Sequence, residues 1–141
     1  MKDDEHYRYV PDTSAIVALV ENEDGAGRVE EILRSGAVIL PFPVPLEVYY
    51  ITVQEGGEAR GNARYAMLKA LPVTHLNEID EPTLLTAGRF KAFFQLSLAD
   101  ALIAAFAARN DAVLVHKDPK YEPLRGLVRQ EVLPYKSRRR R

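Results

Sequence analysis

Ala37-Val38-Ile39-Leu40 is followed by Pro41-Phe42-Pro43 and then by Val44 to Glu55, a stretch without glycine that ends at Gly56-Gly57. Four successive apolar residues with no polar alternation describe a strand covered on both faces, as in a parallel sheet flanked by helices. Pro43 stands where a helix tolerates proline, in its first turn, and the glycine pair stops the helix over Pro43 to Glu55. A fully covered strand feeding directly into a helix is the repeating unit of an α/β fold.

The same unit recurs on both sides. Upstream, Tyr7-Arg8-Tyr9-Val10 reads as a strand ending at Pro11-Asp12, and from Thr13 a helix carries Ala15, Ile16, Leu19 and Val20. A second helix begins at Asp24 or Gly25, places Val29, Ile32 and Leu33 on one face, and stops at Ser35-Gly36. Downstream, the pattern predicts a helix over Glu58 to Leu71, a strand over Val73 to Leu76, and a helix over Ile79 to Gln95 with Leu84, Leu85, Ala87 and Phe94 buried. A strongly apolar helix over Leu98 to Asn110 and strands at Ala112 to Val115 and Arg129 to Leu133 complete the chain. Strands separated by helices require crossover connections and therefore parallel pairing. The expected architecture is a three-layer α/β/α Rossmann-like sandwich on a central parallel sheet of about five strands, with residues 1–135 as one domain and 136–141 as a basic, disordered tail.

Composition narrows the chemistry. The 141 residues contain no Cys, which excludes disulfides, thiolate metal sites and a thiol nucleophile, and the three His are scattered. The net charge of −1 conceals an asymmetry: five of the 19 basic residues lie in Lys136 to Arg141, leaving 14 against 20 acidic ones in the body. The acidic start Met1-Lys2-Asp3-Asp4-Glu5 does not read as a signal peptide, and no apolar run approaches a membrane span, so the expected location is the cytoplasm. The Lys136 to Arg141 tail, with its Arg138 to Arg141 run, suits RNA phosphates as well as it suits a solvated, disordered end.

Four acids occupy equivalent places: Asp12 after the first strand, Glu47 in the first turn of the Pro43 helix, Asp100 in the first turn of the apolar helix, and Asp118 just after Val113-Leu114-Val115-His116-Lys117. Each has a purely structural explanation. Asp12 can cap a helix, Glu47 can favour a helix dipole, Ser97 and Asp100 can form a capping box, and Asp118-Pro119 can start a turn. Together they fall on one sheet edge, where strand C-termini meet helix N-termini and where α/β proteins bind ligands. Carboxylates crowded there repel unless a cation intervenes, and only Lys117 stands at a matching position. With oxygen ligands alone, the fitting cation is a hard one, Mg²⁺ or Mn²⁺, whose use is phosphoryl chemistry.

At these residues the sequence resembles the PIN-domain family, particularly the VapC-type ribonuclease toxins of toxin–antitoxin pairs. The resemblance runs from Tyr9 to about Pro134. It rests on Asp12-Thr13-Ser14 after a strand, on Glu47 followed by Tyr49-Tyr50, on Ser97-Leu98-Ala99-Asp100-Ala101 running into Leu102 to Ala105, and on Val113-Leu114-Val115 leading to Asp118. It implies a Mg²⁺- or Mn²⁺-dependent endoribonuclease that cleaves single-stranded RNA, a cognate antitoxin and a homodimer. Asp12, Glu47, Asp100 and Asp118 would be the catalytic and metal-binding quartet, and Ser14 would orient the metal-bound water or a carboxylate. The family often has Ser or Thr two residues before the last Asp, where this chain has His116. The alternatives are a housekeeping PIN nuclease in RNA processing and, from another class, a non-catalytic α/β binding module. The latter lacks support here: a receiver would need paired acids after the first strand, and Gly25-Ala26-Gly27 does not follow a strand as a dinucleotide loop must.

Overall fold

The computed structural model describes residues 8–136. In chain order the elements are β1 (Tyr9–Pro11), α1 (Thr13–Val20), α2 (Ala26–Arg34), β2 (Ile39–Pro41), α3 (Pro43–Gly56), α4 (Glu58–Lys69), β3 (Thr74–Leu76), α5 (Glu81–Phe93), α6 (Leu98–Arg109), β4 (Val113–His116), a 3-10 helix (Pro119–Leu124) and β5 (Gln130–Val132). All the pairings are parallel, as the crossover argument requires. Strands β1, β4 and β5 form one sheet in the order β1-β4-β5, and β2 pairs with β3 in a second. A single bridge between Tyr9 and Val38 joins the two edge to edge, giving the continuous order β3-β2-β1-β4-β5.

The thinness of that junction has a chemical cause. Tyr9 N–H donates to Ala37 O on the β2 side, while Asp12 N–H donates to Val115 O on the β4 side. Backbone groups alternate sides along a strand, so the next β1 donor towards β2 would be Pro11. By the same alternation Phe42 N–H donates to Leu76 on β3, so the β2 donor towards β1 would be Pro41. Neither proline has an N–H. The rung after the bridge is therefore missing at the end of the sheet where Asp12 begins α1.

Two cores lie on opposite faces. Val10, Leu114, Ile39 and Leu40 pack with Val44, Val48, Phe90, Leu96 and the alanines of α6. Val115 and Val38 pack with Ala15, Val29, Ile32, Leu33 and Leu133. Val10 and Tyr9, like Leu114 and Val115, face opposite sides, as strand geometry dictates. Gly25 caps α2 at φ +97°, a conformation that favours glycine.

Two sequence expectations need correction. Leu84 and Leu85 are more than half exposed, and the buried row of α5 is Thr83, Thr86, Ala87 and Phe90. Asp80 caps this helix through Thr83 N–H, so it starts at Glu81 and turns its small side chains, not its leucines, to the alanine-rich α6. Phe94, as expected, packs against this core, edge-to-face with Phe90. Glu47 lies in the second turn of α3, not the first, because the helix begins at Pro43. The expected tail falls largely outside the described residues, which end at Lys136. Among the described residues no helix is long and apolar enough to cross a membrane.

Candidate functional site

Chain order places β2 and β3 on one side of β1 and β4 and β5 on the other, so the order in which strands are added reverses at β1 while all of them stay parallel. A cavity of about 400 Å³ opens there, lined by Asp12, Ser14, Glu47, Ser97, Asp100 and Asp118 together with Thr13, Glu23, Lys117, Lys120 and Lys136. The four predicted acids and Ser14 thus share one pocket.

Asp12 is only 2 % exposed. It caps α1: its Oδ1 accepts from Ala15 N–H at 2.9 Å and from Ser14 Oγ at 2.7 Å. Ser14 Oγ also accepts Lys117 N–H at 2.9 Å, which ties the start of α1 to the segment after β4. Burial pushes the Asp12 carboxyl up to about 7; the two hydrogen bonds oppose this, and the charges of Asp100 and Asp118 add to it. Glu47 accepts a short hydrogen bond from Thr13 Oγ1. Its carboxyl is also raised, first by burial and then by Asp100, with Thr13 opposing.

Asp100 N–H donates to Ser97 Oγ at 3.1 Å, so Ser97 is the helix cap, and Asp100 Oδ1 accepts from Tyr121 OH at 3.0 Å. Burial raises Asp100 and Asp118 adds to it, while Tyr121, Ser97 and Lys120 hold it down. Asp118 caps the 3-10 helix, its Oδ1 accepting Lys120 N–H at 3.0 Å. For Asp12 and Asp118 the capping reading and the shared pocket therefore hold together: the carboxylate that starts the helix also lines the cavity at the sheet edge.

The cation that the sequence offered is directed elsewhere. Lys117 is 4 % exposed at its side chain, pairs with Glu23 at 3.4 Å and donates to Asp24 O at 2.9 Å. Lys136 also reaches Glu23, at 3.5 Å. Glu23, Lys120 and Tyr121 were not singled out by sequence; they come from a loop and a 3-10 helix that carry no motif, whereas Lys136 opens the basic tail that the sequence did mark. His116 is fully buried, held by Gln130 and by Asp118 N–H, and burial lowers its ring below the usual value.

The donor set is all oxygen, and Asp12, Glu47 and Asp100 are each raised by burial and by a neighbouring aspartate. Among the described residues no three His, Asp or Glu side chains are already gathered into a ligand set. The residues fit a hard divalent ion that keeps several of its waters, as Mg²⁺ does, better than an ion enclosed by protein ligands.

The structure is similar to the VapBC complex of Salmonella typhimurium bound to DNA, at a TM-score of 0.73 and 16% identity, covering 89% of this chain and 98% of that one. It is similar to VapBC2 of Rickettsia felis bound to a promoter DNA fragment, at a TM-score of 0.71 and 14% identity, over 88% and 97% of the two chains. It also matches VapC20 of Mycobacterium tuberculosis, a toxin that cleaves the sarcin–ricin loop, at a TM-score of 0.69 and 18% identity, over 89% and 99%. A search of curated protein sequences gives no match. These identities speak for the fold. The PIN domain model matches residues 9–127, spanning every element from β1 through the 3-10 helix, and the chain belongs to the PIN domain family.

Proposed function

We propose that this PIN domain is a divalent-metal-dependent endoribonuclease acting on single-stranded RNA, the toxin of a toxin–antitoxin pair. One observation carries the reading: Asp12, Glu47, Asp100 and Asp118 line one pocket, and the first three have carboxyls raised by burial and by a neighbouring aspartate. Such an arrangement is costly without a cation and has no use in a purely structural cluster. Family membership and the likeness to VapBC proteins support it, the latter also favouring an antitoxin as partner.

Asp12, Glu47, Asp100 and Asp118 are the residues that would hold Mg²⁺ or Mn²⁺. The bound ion supplies a water of lowered pKa and neutralises charge on the phosphate under attack. Asp12, accepting two hydrogen bonds on Oδ1, is the most buried of the four. Ser14 fixes its orientation, Thr13 does the same for Glu47, and Tyr121 for Asp100. Lys120 and Lys136, beside the acids, supply positive charge for phosphates approaching an otherwise repelling pocket. The likeness to VapBC structures is compatible with a homodimer, which would lengthen an RNA groove.

The test is cleavage of single-stranded RNA by the purified protein with and without Mn²⁺. Cleavage that requires the ion and is lost in both Asp12→Asn and Asp100→Asn is expected. No cleavage by wild type, together with melting temperatures that the ion leaves unchanged in wild type and variants, would refute the reading.

A further inference from the structure

Behind the pocket lies a buried network that the reaction itself does not use. Tyr121 is fully buried, and its hydroxyl donates to Asp100 Oδ1 at 3.0 Å. Its ring lies against the His116 ring, with centroids 4.7 Å apart. His116 Nδ1 accepts Asp118 N–H at 3.0 Å, so the ring proton must sit on Nε2, which lies 2.8 Å from Gln130 Oε1. Gln130 then has its amide nitrogen free to donate, and it does so to Tyr121 O at 2.9 Å. The links run from Asp100 through Tyr121, Gln130 and His116 to Asp118, and Tyr121 N–H, donating to Asp118 O at 3.2 Å, closes the circuit among the last four. Among the described residues every buried side-chain nitrogen and oxygen has a partner.

We infer that Tyr121, His116 and Gln130 are positioning residues that set the Asp100 carboxylate and the Asp118 backbone in the geometry a divalent ion needs. The inference rests on the metal-centre reading above. Tyr121 occupies one lone pair of Asp100 Oδ1, which fixes the carboxylate's rotation. His116 holds the peptide of Asp118 from behind, and Gln130 holds both His116 and the Tyr121 backbone. The imidazole at position 116 reaches from the Asp118 peptide to β5, where Gln130 is the acceptor its ring N–H requires. Partners of metal ligands typically change metal affinity 10–100-fold when removed.

The experiment measures Mn²⁺ affinity of the metal-free full chain by electron paramagnetic resonance, alongside melting followed by circular dichroism. Tyr121→Phe keeps the ring packing and removes only the donor. About tenfold weaker Mn²⁺ binding is expected, with metal-free melting little changed. Gln130→Met, which breaks the circuit at its far side, should weaken binding severalfold, and it carries the test if Tyr121→Phe fails to fold. Leu124→Ala, a buried neighbour in the same 3-10 helix with no place in the circuit, should lower melting and leave affinity alone. Unchanged affinity in Tyr121→Phe, or an equal loss in Leu124→Ala, overturns the positioning role while wild-type binding keeps the metal reading. Absence of Mn²⁺ binding by wild type overturns both.

Discussion

Ser14 Oγ donates to Asp12 Oδ1 at 2.7 Å while accepting the backbone N–H of Lys117 at 2.9 Å, so one hydroxyl links the most buried acid of the pocket to the segment that carries Asp118. Ser14→Ala removes a bond that holds the Asp12 carboxyl down and strands a backbone donor. The expected cost is about 1–2 kcal/mol of stability, read as a lower melting temperature. The pH midpoint for metal-dependent cleavage should also move upward, because Asp12 becomes harder to ionise.

Asp12→Asn should separate fold from function. The amide keeps an oxygen for Ser14 and Ala15 and removes the buried charge. RNA cleavage should vanish, while the metal-free variant should melt higher than wild type at pH 8. A variant that melts much lower would show that Asp12 is needed chiefly as a charged cap.

The pH dependence of stability follows from the same group. In the folded chain burial pushes the Asp12 carboxyl up to about 7, against 3.8 for an ordinary aspartate side chain. Between those values the folded chain holds a proton that the unfolded chain has released, so stability is greatest at the low end and falls as pH rises towards 7. The span is on the order of 4 kcal/mol at most. Melting of the metal-free protein across pH 4.5–8 should show this decline; added Mg²⁺ or Mn²⁺ should reverse it at the upper end, and Asp12→Asn should flatten it.

Lys117 is a structural cation. Its ammonium is tied to Glu23 and to Asp24 O, away from the carboxylate quartet. Lys117→Met should lower stability by about 1–3 kcal/mol through the unpaired acceptors. Mn²⁺ affinity should change far less than in Asp100→Asn, which titration calorimetry can compare.

Gly61 lies where α4 crosses α3. A Cβ there would run into Val53 Cγ2 and press on the Tyr49 ring. Val53 is β-branched and stiff, so the helices must separate. Gly61→Ala should cost about 1–3 kcal/mol, read by denaturant unfolding, even though alanine is the better helix former.

Much of the fold was legible because a covered parallel strand announces itself: Ala37 to Leu40 and Ala112 to Val115 are apolar without alternation, and each lies next to helical spacing. The candidate site was legible because its acids follow those strands or open the next helix. What sequence could not show depends on rotation and on distance along the chain. Leu84 and Leu85 looked buried because apolar character does not reveal which face of α5 meets α6. Gln130 lies 14 residues from His116, so no local pattern links them. Lys117 stood beside the acids in sequence, yet its long stem carries the charge to Glu23.

The two prolines at the seam bear on how the pocket comes into being. Strand β2, helices α3 and α4, and β3 are consecutive from Ile39 to Leu76, so this half of the sheet can be built from near neighbours in sequence. The other half gathers β1, β4 and β5 from both ends of the chain and carries all three aspartates. Glu47 belongs to the first half and joins them only when the halves meet. The fourth carboxylate is therefore held beside the other three by the packing of one half against the other, across the seam where the two prolines leave the sheet with a single bridge.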